Sequence, residues 1–421
     1  MYRTITLPNG ARILTEYIPG VRTTALGFFI GTGSRHERAA ENGAAHFIEH
    51  MLFKGTFNRD AGQLAREMDA LGGQVNAFTT KEMTCYYARC LDSHLERCLD
   101  LMCDMLFHSR FDERDAALER GVILEEIGMY EDTPEDLVSE RLSAAVYKGS
   151  SLGRPILGRA STLNKMTGEW LREYQRTHYV PGNIVVSLAG SFTPAIVEIL
   201  KSRLSSMPSR PLHREKSAVY HSAVTIRRKS IEQNHVILAF PALGYRNPRR
   251  YQMLVLNTIL GGGVSSRLFQ ELREKRGLCY SVYSFCSEHA ETGLMGVYTA
   301  LNREQERQAL DAIRREICDL ADHGPTKDEL ERTKEQAKAN VLMGLESVQS
   351  HMSHLGTSAL LYGFVREADE ILQEYDRVTR DEIQTLAQEL FQFEKASLSA
   401  VGRGENADDY IRQLSLNPEL L

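Results

Sequence analysis

The sequence contains neither a hydrophobic run long enough to cross a membrane nor a cysteine pattern typical of a disulfide or metal framework. No stretch reaches the ~18 consecutive apolar residues that a membrane span needs. The 7 cysteines are scattered and never form a Cys-x-x-Cys pair, which predicts reduced and mostly buried thiols. The N-terminal segment lacks the hydrophobic region and the small-residue cleavage site of a signal peptide. We therefore expect a cytoplasmic protein with no membrane partner.

An excess of positive charge is also absent. The chain carries 50 Lys and Arg residues against 56 Asp and Glu residues, a formal net charge of −6. Proteins that bind nucleic acids normally present a basic surface, so we expect no nucleic-acid partner. The composition, 42% hydrophobic and 25% charged, is that of a globular protein. A length of 421 residues is more than one ordinary core organises, so two or more domains are expected.

The order of predicted elements occurs twice along the chain. In the first half, two strands flank a Pro-Asn-Gly turn, and a strand, two helices and a strand pair follow. The order of strand, helix, second helix and strand pair returns after residue 225, and each half ends in long helical stretches. This repetition predicts an α+β fold of two homologous α/β-sandwich-like halves, a tandem duplication with antiparallel-rich sheets covered by helices. We place a first domain at 1–208, a polar linker at 209–224 and a second domain at 225–421.

The segment AAHFIEHMLFKGT, residues 44–56, sets His46, Glu49 and His50 among apolar residues. Positions i and i+4 share one face of a helix, so the two histidines can direct ring nitrogens at one point with Glu49 at its edge. Zinc enzymes use the order H-E-x-x-H in this way, and here the order is inverted to H-x-x-E-H. Alone, the pattern is compatible with a zinc site or with two ordinary histidines on a buried helix. No second copy of the motif occurs, so at most one such site per chain is expected.

A catalytic zinc site needs a third protein ligand, and the segment ALERGVILEEIGMYEDTPEDL offers candidates. Glu119 and Glu126 are seven residues apart, or two helical turns, and therefore share a helix face. Glu126 follows His50 by 76 positions. Glu125 is a competitor, but it points about 100° away around the helix. All three glutamates could also be solvated charges, as most helix glutamates are.

With HFIEHMLFKGT and ERGVILEE, the chain resembles the inverzincin metallopeptidases, the family of pitrilysin, insulin-degrading enzyme and the mitochondrial processing peptidase. It is most similar to single-chain, bacterial-type members of the processing-peptidase branch. The resemblance implies one zinc ion per chain held by His46, His50 and Glu126, with Glu49 as general base and Glu119 as a supporting acid beside the ligands. It implies a zinc endopeptidase that hydrolyses short or unfolded peptides and that loses activity in acid, where its ligands would be protonated.

In the second half, GGGVSSRLFQELREKRGLCYSVYSF is the most distinctive stretch. No Walker Lys-Ser/Thr follows its glycines, which argues against a phosphate-binding loop and favours a helix stop. The resemblance implies that Arg273 and Tyr280 reach the substrate and the oxyanion, for which a guanidinium and a phenol are suitable donors. Without the resemblance, they would be interpreted as a surface arginine and a strand tyrosine.

The resemblance also implies a substrate-binding surface. GGQVNAFTT is similar to the family's edge strand, which pairs with an extended peptide, so Asn76, Ala77 and Phe78 are expected to bind substrate. Asp136 and Glu140 match acidic positions that receive basic side chains in the processing-peptidase branch. They predict a modest preference for Arg or Lys near the cleavage site, although EDTPEDLVSE is equally compatible with a solvated acidic face.

The resemblance also bears on the assembly of the protein and leaves two alternative functions. Family members of this size usually pair, which predicts a homodimer that encloses a chamber. One alternative is a non-catalytic subunit, and another is an active subunit that needs a different, metal-free partner. The chain retains every expected zinc position together with Arg273 and Tyr280, which favours a peptidase that is complete in one chain.

Overall fold

The computed structural model describes residues 2–211 and 217–420. The predicted linker 209–224 includes residues 212–216, which lie outside the described residues, and a strand already begins at Val224. None of the described helices is both long enough and apolar enough to cross a lipid bilayer.

The described residues form eleven strands and fifteen α-helices. The strands are β1 Arg3–Thr6, β2 Arg12–Tyr17, β3 Thr23–Ile30, β4 Gln74–Thr79, β5 Thr84–Leu91, β6 Ile184–Gly190, β7 Val224–Arg228, β8 Asn234–Ala242, β9 Cys279–Glu288, β10 Gly293–Leu301 and β11 Ser397–Gly402. The helices are α1 Ala44–Met51, α2 Ala61–Ala70, α3 Leu95–His108, α4 Glu113–Asp132, α5 Pro134–Val146, α6 Ala160–Leu163, α7 Gly168–His178, α8 Pro194–Ser205, α9 Arg250–Gly261, α10 Arg303–His323, α11 Lys327–Gly344, α12 Val348–Thr357, α13 Ala368–Arg377, α14 Arg380–Leu390 and α15 Ala407–Leu414.

Two compact units divide the chain, and each is assembled from three segments. The first unit consists of Met1–Gly128, Arg154–Lys216 and Met343–Arg366. The second unit consists of Met129–Gly153, Ser217–Leu342 and Glu367–Leu421. The boundaries predicted from the sequence follow chain order, whereas these units exchange two segments, which contain α5 and α12.

The first unit is built on a six-stranded sheet with the order β1-β2-β6-β3-β5-β4. Strands β2 and β6 are parallel, and the other neighbours are antiparallel. One face carries Leu26 and Phe28 of β3 into a core shared with α1 and α3. The opposite face carries Phe29 of β3 and Val185 of β6 against α12. Burial on both faces explains why β3 and β6 are almost continuously apolar in sequence.

The second unit repeats this plan with a five-stranded sheet of order β7-β11-β8-β10-β9. Its one parallel pair, β7 with β11, occupies the place that β2 with β6 occupies in the first sheet. Helix α5 packs on β8 and β11, where Val138 and Leu142 meet Ile237 and Val401. The predicted fold class, two homologous α+β halves with antiparallel-rich sheets, is therefore confirmed.

One predicted helix has a different form. The segment SSRLFQELREKRG was expected to be an ordinary second helix, but Phe269–Lys275 forms a π-helix. The sequence pattern marks apolar spacing and the glycine stop, and neither feature distinguishes an α-turn from the wider π-turn.

Candidate metal centre

Helix α1 carries the H-x-x-E-H motif, and its N-terminus is fixed from outside the helix. Its N-cap residue is Gly43, with φ of 99°, and an added Cβ would lie 2.8 Å from both the Cα of Gly158 and the carbonyl oxygen of Leu157. Because glycine has no side chain to cap the helix, the buried carboxylate of Glu37 accepts hydrogen bonds from the backbone N–H groups of Gly43 and Ala45, each at 2.9 Å. Burial raises the pKa of Glu37 to about 7.

One face of α1 packs in the core, and the opposite face carries the two histidines. Phe47, Ile48 and Met51 are fully buried in the core of the first unit. His46 and His50 occupy the other face, with their ring centroids 4.6 Å apart. Core packing on one side therefore holds the two imidazoles side by side on the other.

Three side chains bring metal-ligand atoms to one point. The Oε2 atom of Glu126, on α4, lies 3.7 Å from Nε2 of His46 and 3.8 Å from Nε2 of His50. Single ligand atoms of the three residues all lie within 4.8 Å of one another. Zinc with bonds near 2.1 Å separates tetrahedral ligands by roughly 3.4 Å, so this set of donors fits zinc with little adjustment. Glu125 points to solvent instead.

The ring nitrogens of the two histidines have different surroundings. Burial and the neighbouring His50 lower the pKa of His46 to about 3, which keeps this imidazole neutral. The Nδ1 atom of His46 is buried and has no hydrogen-bond partner in the described part of the chain. The Nδ1 atom of His50 instead lies 3.1 Å from Oε2 of Glu119. A carboxylate only accepts, so Nδ1 of His50 donates to Glu119, and a neutral ring in this orientation turns the lone pair of Nε2 to the cluster.

Glu119 is itself held by a cation. Its side chain is almost completely buried, and its Oε1 atom lies 2.7 Å from Nζ of Lys54. Burying a carboxylate is costly unless it is paired, and Lys54 together with His50 provides that pairing. Lys54, Glu119 and His50 thus form a chain of contacts that ends at a candidate ligand atom.

Glu49 lies beside the cluster, on the same helix. Burial raises its pKa above the usual value, and a hydrogen bond from Oγ1 of Thr79 to Oε2, at 2.5 Å, opposes the rise. A partly buried carboxylate with a raised pKa, next to three potential ligands, is suited to accept a proton from a water molecule.

Comparisons with known proteins identify the family. Residues 12–160 match the family model for insulinase, peptidase family M16, and residues 165–337 match the model for the peptidase M16 inactive domain. A zinc protease of Bacillus subtilis (strain 168) is 42% identical over 393 residues, which cover 93% of this chain and 96% of that protein. The chain belongs to peptidase family M16.

Two further relatives agree with this assignment. A zinc protease of Streptomyces coelicolor is 41% identical over 410 residues, covering 95% of this M16 chain and 89% of that protein. The crystal structure of a protease from Helicobacter pylori has a TM-score of 0.88 at 20% identity and covers 96% of this chain and 99% of that one. The crystal structure of a peptidase M16 inactive domain from Pseudomonas fluorescens also has a TM-score of 0.88 at 20% identity, with 95% and 98% covered. These two structures support the fold alone.

Membership of family M16 establishes the general activity. The protein is a zinc metallopeptidase, its cofactor is zinc, and its substrates are peptides. The expected family, fold class, cofactor and enzyme class are thereby confirmed.

The predicted substrate-strand residues lie on β4, at one end of the first unit's sheet order. Asn76 and Phe78 are exposed, whereas Ala77 between them packs toward the core. The Oδ1 atom of Asn76 accepts a hydrogen bond from the N–H of Ala77 at 2.8 Å.

The remaining predicted residues of this M16 peptidase lie in the second unit. The guanidinium of Arg273 lies 4.9 Å from the ring centroid of Tyr280, and 78% of Tyr280 is exposed. Asp136 and Glu140 are half-buried, one turn apart on α5. The structure thus brings Arg273 and Tyr280 together, while the roles of these four residues stay predictions.

Sequence reasoning missed three residues that contact the candidate site or cap its helix. Lys54 lies four residues after His50 within the quoted motif, so its position was a usable signal. Thr79 ends the segment QVNAFT, and nothing in the sequence pairs it with Glu49. Glu37 precedes the motif in a segment without regular pattern, and only the folded chain shows that it caps α1.

The contacts of Glu119 give a first prediction. Glu119→Gln and Lys54→Met should each weaken zinc binding about 10- to 100-fold, because residues that orient a metal ligand typically contribute that much. Competition with a chelator measures the zinc affinity. Lys201→Met is the matched control, since Lys201 pairs with Glu198 on the surface of α8. Unchanged zinc affinity in both variants would show that the contact with Glu119 does not orient His50.

Proposed function

We propose that this protein is a zinc endopeptidase for short or unfolded peptides, with its zinc ion held by His46, His50 and Glu126 and with Glu49 as general base. The observation that carries the proposal is that Oε2 of Glu126 lies 3.7 Å from Nε2 of His46 and 3.8 Å from Nε2 of His50, next to the carboxylate of Glu49. Two helices far apart in sequence, α1 and α4, supply these groups.

The residues divide the work as follows. When bound in such a site, zinc lowers the pKa of a coordinated water to about 7 and polarises the scissile carbonyl. Glu49 would accept the proton of the attacking water and return it to the leaving amine. Glu119 would accept a hydrogen bond from Nδ1 of His50 and so orient its ring, and Lys54 would hold Glu119 in place by an ion pair. Arg273 and Tyr280 are proposed donors to the oxygen that gains negative charge.

The test is cleavage of a library of short peptides by the isolated protein. We expect cleavage that stops with a chelator and returns when zinc is added to one equivalent per chain. An isolated chain that binds one zinc ion but cleaves no peptide would contradict the proposal and favour a non-catalytic subunit. Activity that appears only after addition of a second homologous chain would favour the heterodimer-dependent subunit.

Asp136 and Glu140 give a prediction about specificity. Peptides with Arg near the cleavage site should be cleaved about two- to fivefold faster in kcat/KM than matched peptides with Ala, because a partly solvated ion pair contributes up to roughly 1 kcal/mol. The double variant Asp136→Asn, Glu140→Gln should abolish the difference. Asp328→Asn is a matched control, since Asp328 is an exposed acid on α11 that pairs with Arg332. Equal cleavage of Arg and Ala peptides by the unmodified protein would remove this preference.

The homodimer and the cytoplasmic location stay proposals that rest on the sequence. Sedimentation of the purified chain tests the homodimer directly, with a mass of twice 47.5 kDa as the expected result.

A further inference from the structure

Strand β4 has two edges and two faces with different surroundings. One edge pairs with β5 through the register Asn76–Tyr87 to Thr79–Thr84, and no described strand lies on the other edge. Side chains alternate along the strand: Gln74, Asn76 and Phe78 are exposed, while Val75, Ala77 and Thr79 are half-buried. The half-buried face packs on α1, the helix that carries Glu49.

Thr79 connects this strand to Glu49 through one hydrogen bond. Its Oγ1 donates to Oε2 of Glu49 at 2.5 Å, and this is the single hydrogen bond to the Glu49 carboxylate recorded among the described residues. A hydroxyl has one proton to donate, and an ionised carboxylate only accepts, so the direction of the bond is fixed. The Oε1 atom of Glu49 is therefore left for another partner.

The hydroxyl of Thr84, next to Thr79, donates its proton to a different acceptor. Oγ1 of Thr84, opposite Thr79 on β5, donates to the carbonyl oxygen of Thr32 at 2.8 Å and lies 3.4 Å from Oγ1 of Thr79. Two threonines thus face each other across one strand pair, and only Thr79 contacts the carboxylate.

We propose that Thr79 is a positioning residue that aims Glu49 and links its orientation to the strand on which a peptide docks. Thr79 holds Oε2, so that Oε1 is the oxygen presented to the attacking water. A peptide that adds to the open edge of β4 would order the backbone of Thr79 and, through its hydroxyl, the carboxylate. This inference rests on the proposed function, in which Glu49 is the general base.

A purely structural role for Thr79 makes a different prediction. If the hydroxyl only stabilised the end of the β4–β5 pair, its removal would lower the melting temperature without a specific loss of turnover. Thr79→Val keeps the β-branched shape but removes the donor, while Thr79→Ser keeps the donor but removes the methyl group. The two variants therefore separate the hydroxyl from the shape of the side chain.

The experiment measures kcat, KM and zinc affinity of the full chain, together with the affinity for a peptide whose scissile amide is replaced by an uncleavable bond. We expect Thr79→Val to lower kcat about 10- to 100-fold, the usual effect of removing a hydrogen bond to a charged group. KM, zinc affinity and affinity for the uncleavable peptide should stay within about twofold. Thr79→Ser should restore most of kcat, and Thr84→Val, the matched control, should retain it.

Three results would overturn the inference. Full kcat in Thr79→Val would show that the hydroxyl does not aim Glu49. Equal losses in Thr79→Val, Thr79→Ser and Thr84→Val, or a parallel loss of zinc, would assign Thr79 a structural role. If the unmodified chain binds zinc but cleaves no peptide, the proposed function and this inference both fail. If the unmodified chain and Thr79→Val are equally active, only this inference fails.

Discussion

Glu49→Gln is expected to lower the turnover of a peptide about 10²- to 10⁴-fold and to leave zinc in place. The amide has nearly the size of the carboxylate and can still accept the hydrogen bond from Thr79, but it cannot take a proton from water. A positioned general base typically contributes a factor of this size. Because Glu49 is not among the three converging ligands, zinc affinity should not fall with turnover.

Steady-state cleavage and zinc stoichiometry of the same preparation test this prediction. Glu125→Gln is a matched control: Glu125 is an exposed glutamate adjacent to Glu126, and its replacement should change neither quantity. Turnover of Glu49→Gln within a few-fold of the unmodified protein would exclude Glu49 as the base. Loss of zinc from this variant would instead place Glu49 among the ligands.

Glu126→Gln is expected to weaken zinc binding about 10²-fold or more and to abolish most of the activity. A four-ligand zinc site in a small domain binds with roughly 10–16 kcal/mol, so one anionic ligand accounts for several kcal/mol. As a ligand, Glu126 would also connect two helices through the zinc ion, since Glu126 lies on α4 and both histidines lie on α1. Zinc should therefore raise the melting temperature of the unmodified protein and raise it much less in the variant.

Thermal unfolding with and without zinc, combined with chelator competition, measures both effects. Glu125→Gln again serves as the control, because the two glutamates differ by one position and by their direction from the helix. If Glu126→Gln kept tight zinc binding and Glu125→Gln lost it, Glu125 rather than Glu126 would be the third zinc ligand.

The part of the site that follows helix geometry could be predicted from the sequence. His46 and His50 share a face because they are four residues apart, and Glu119 and Glu126 share one because they are seven apart. Neither relation depends on the rest of the fold. The contacts of Lys54 with Glu119 and of Thr79 with Glu49 could not be predicted, because each joins elements whose separation only the folded chain determines.

In the fold too, local features could be predicted from the sequence and long-range contacts could not. The repeated order of strands and helices is visible in the sequence because apolar spacing and glycine stops are local signals. The positions of α5 and α12 are not visible in the sequence. Apolar residues such as Val138 and Met352 indicate that a helix is buried, but they do not indicate which sheet it covers. The domain boundaries predicted from the sequence, 1–208 and 225–421, therefore do not include the exchange of these helices between the units.

That exchange has a consequence for how the duplication could have arisen. Helices α5 and α12 occupy equivalent places in the two repeats, and each covers the sheet of the other repeat. A single ancestral repeat, folded alone, would have left one face of its sheet bare to water. Two copies that each covered the open sheet of the other with one helix would both have buried that face. In the present chain, a break within 209–224 would produce two fragments that each lack a part held by the other.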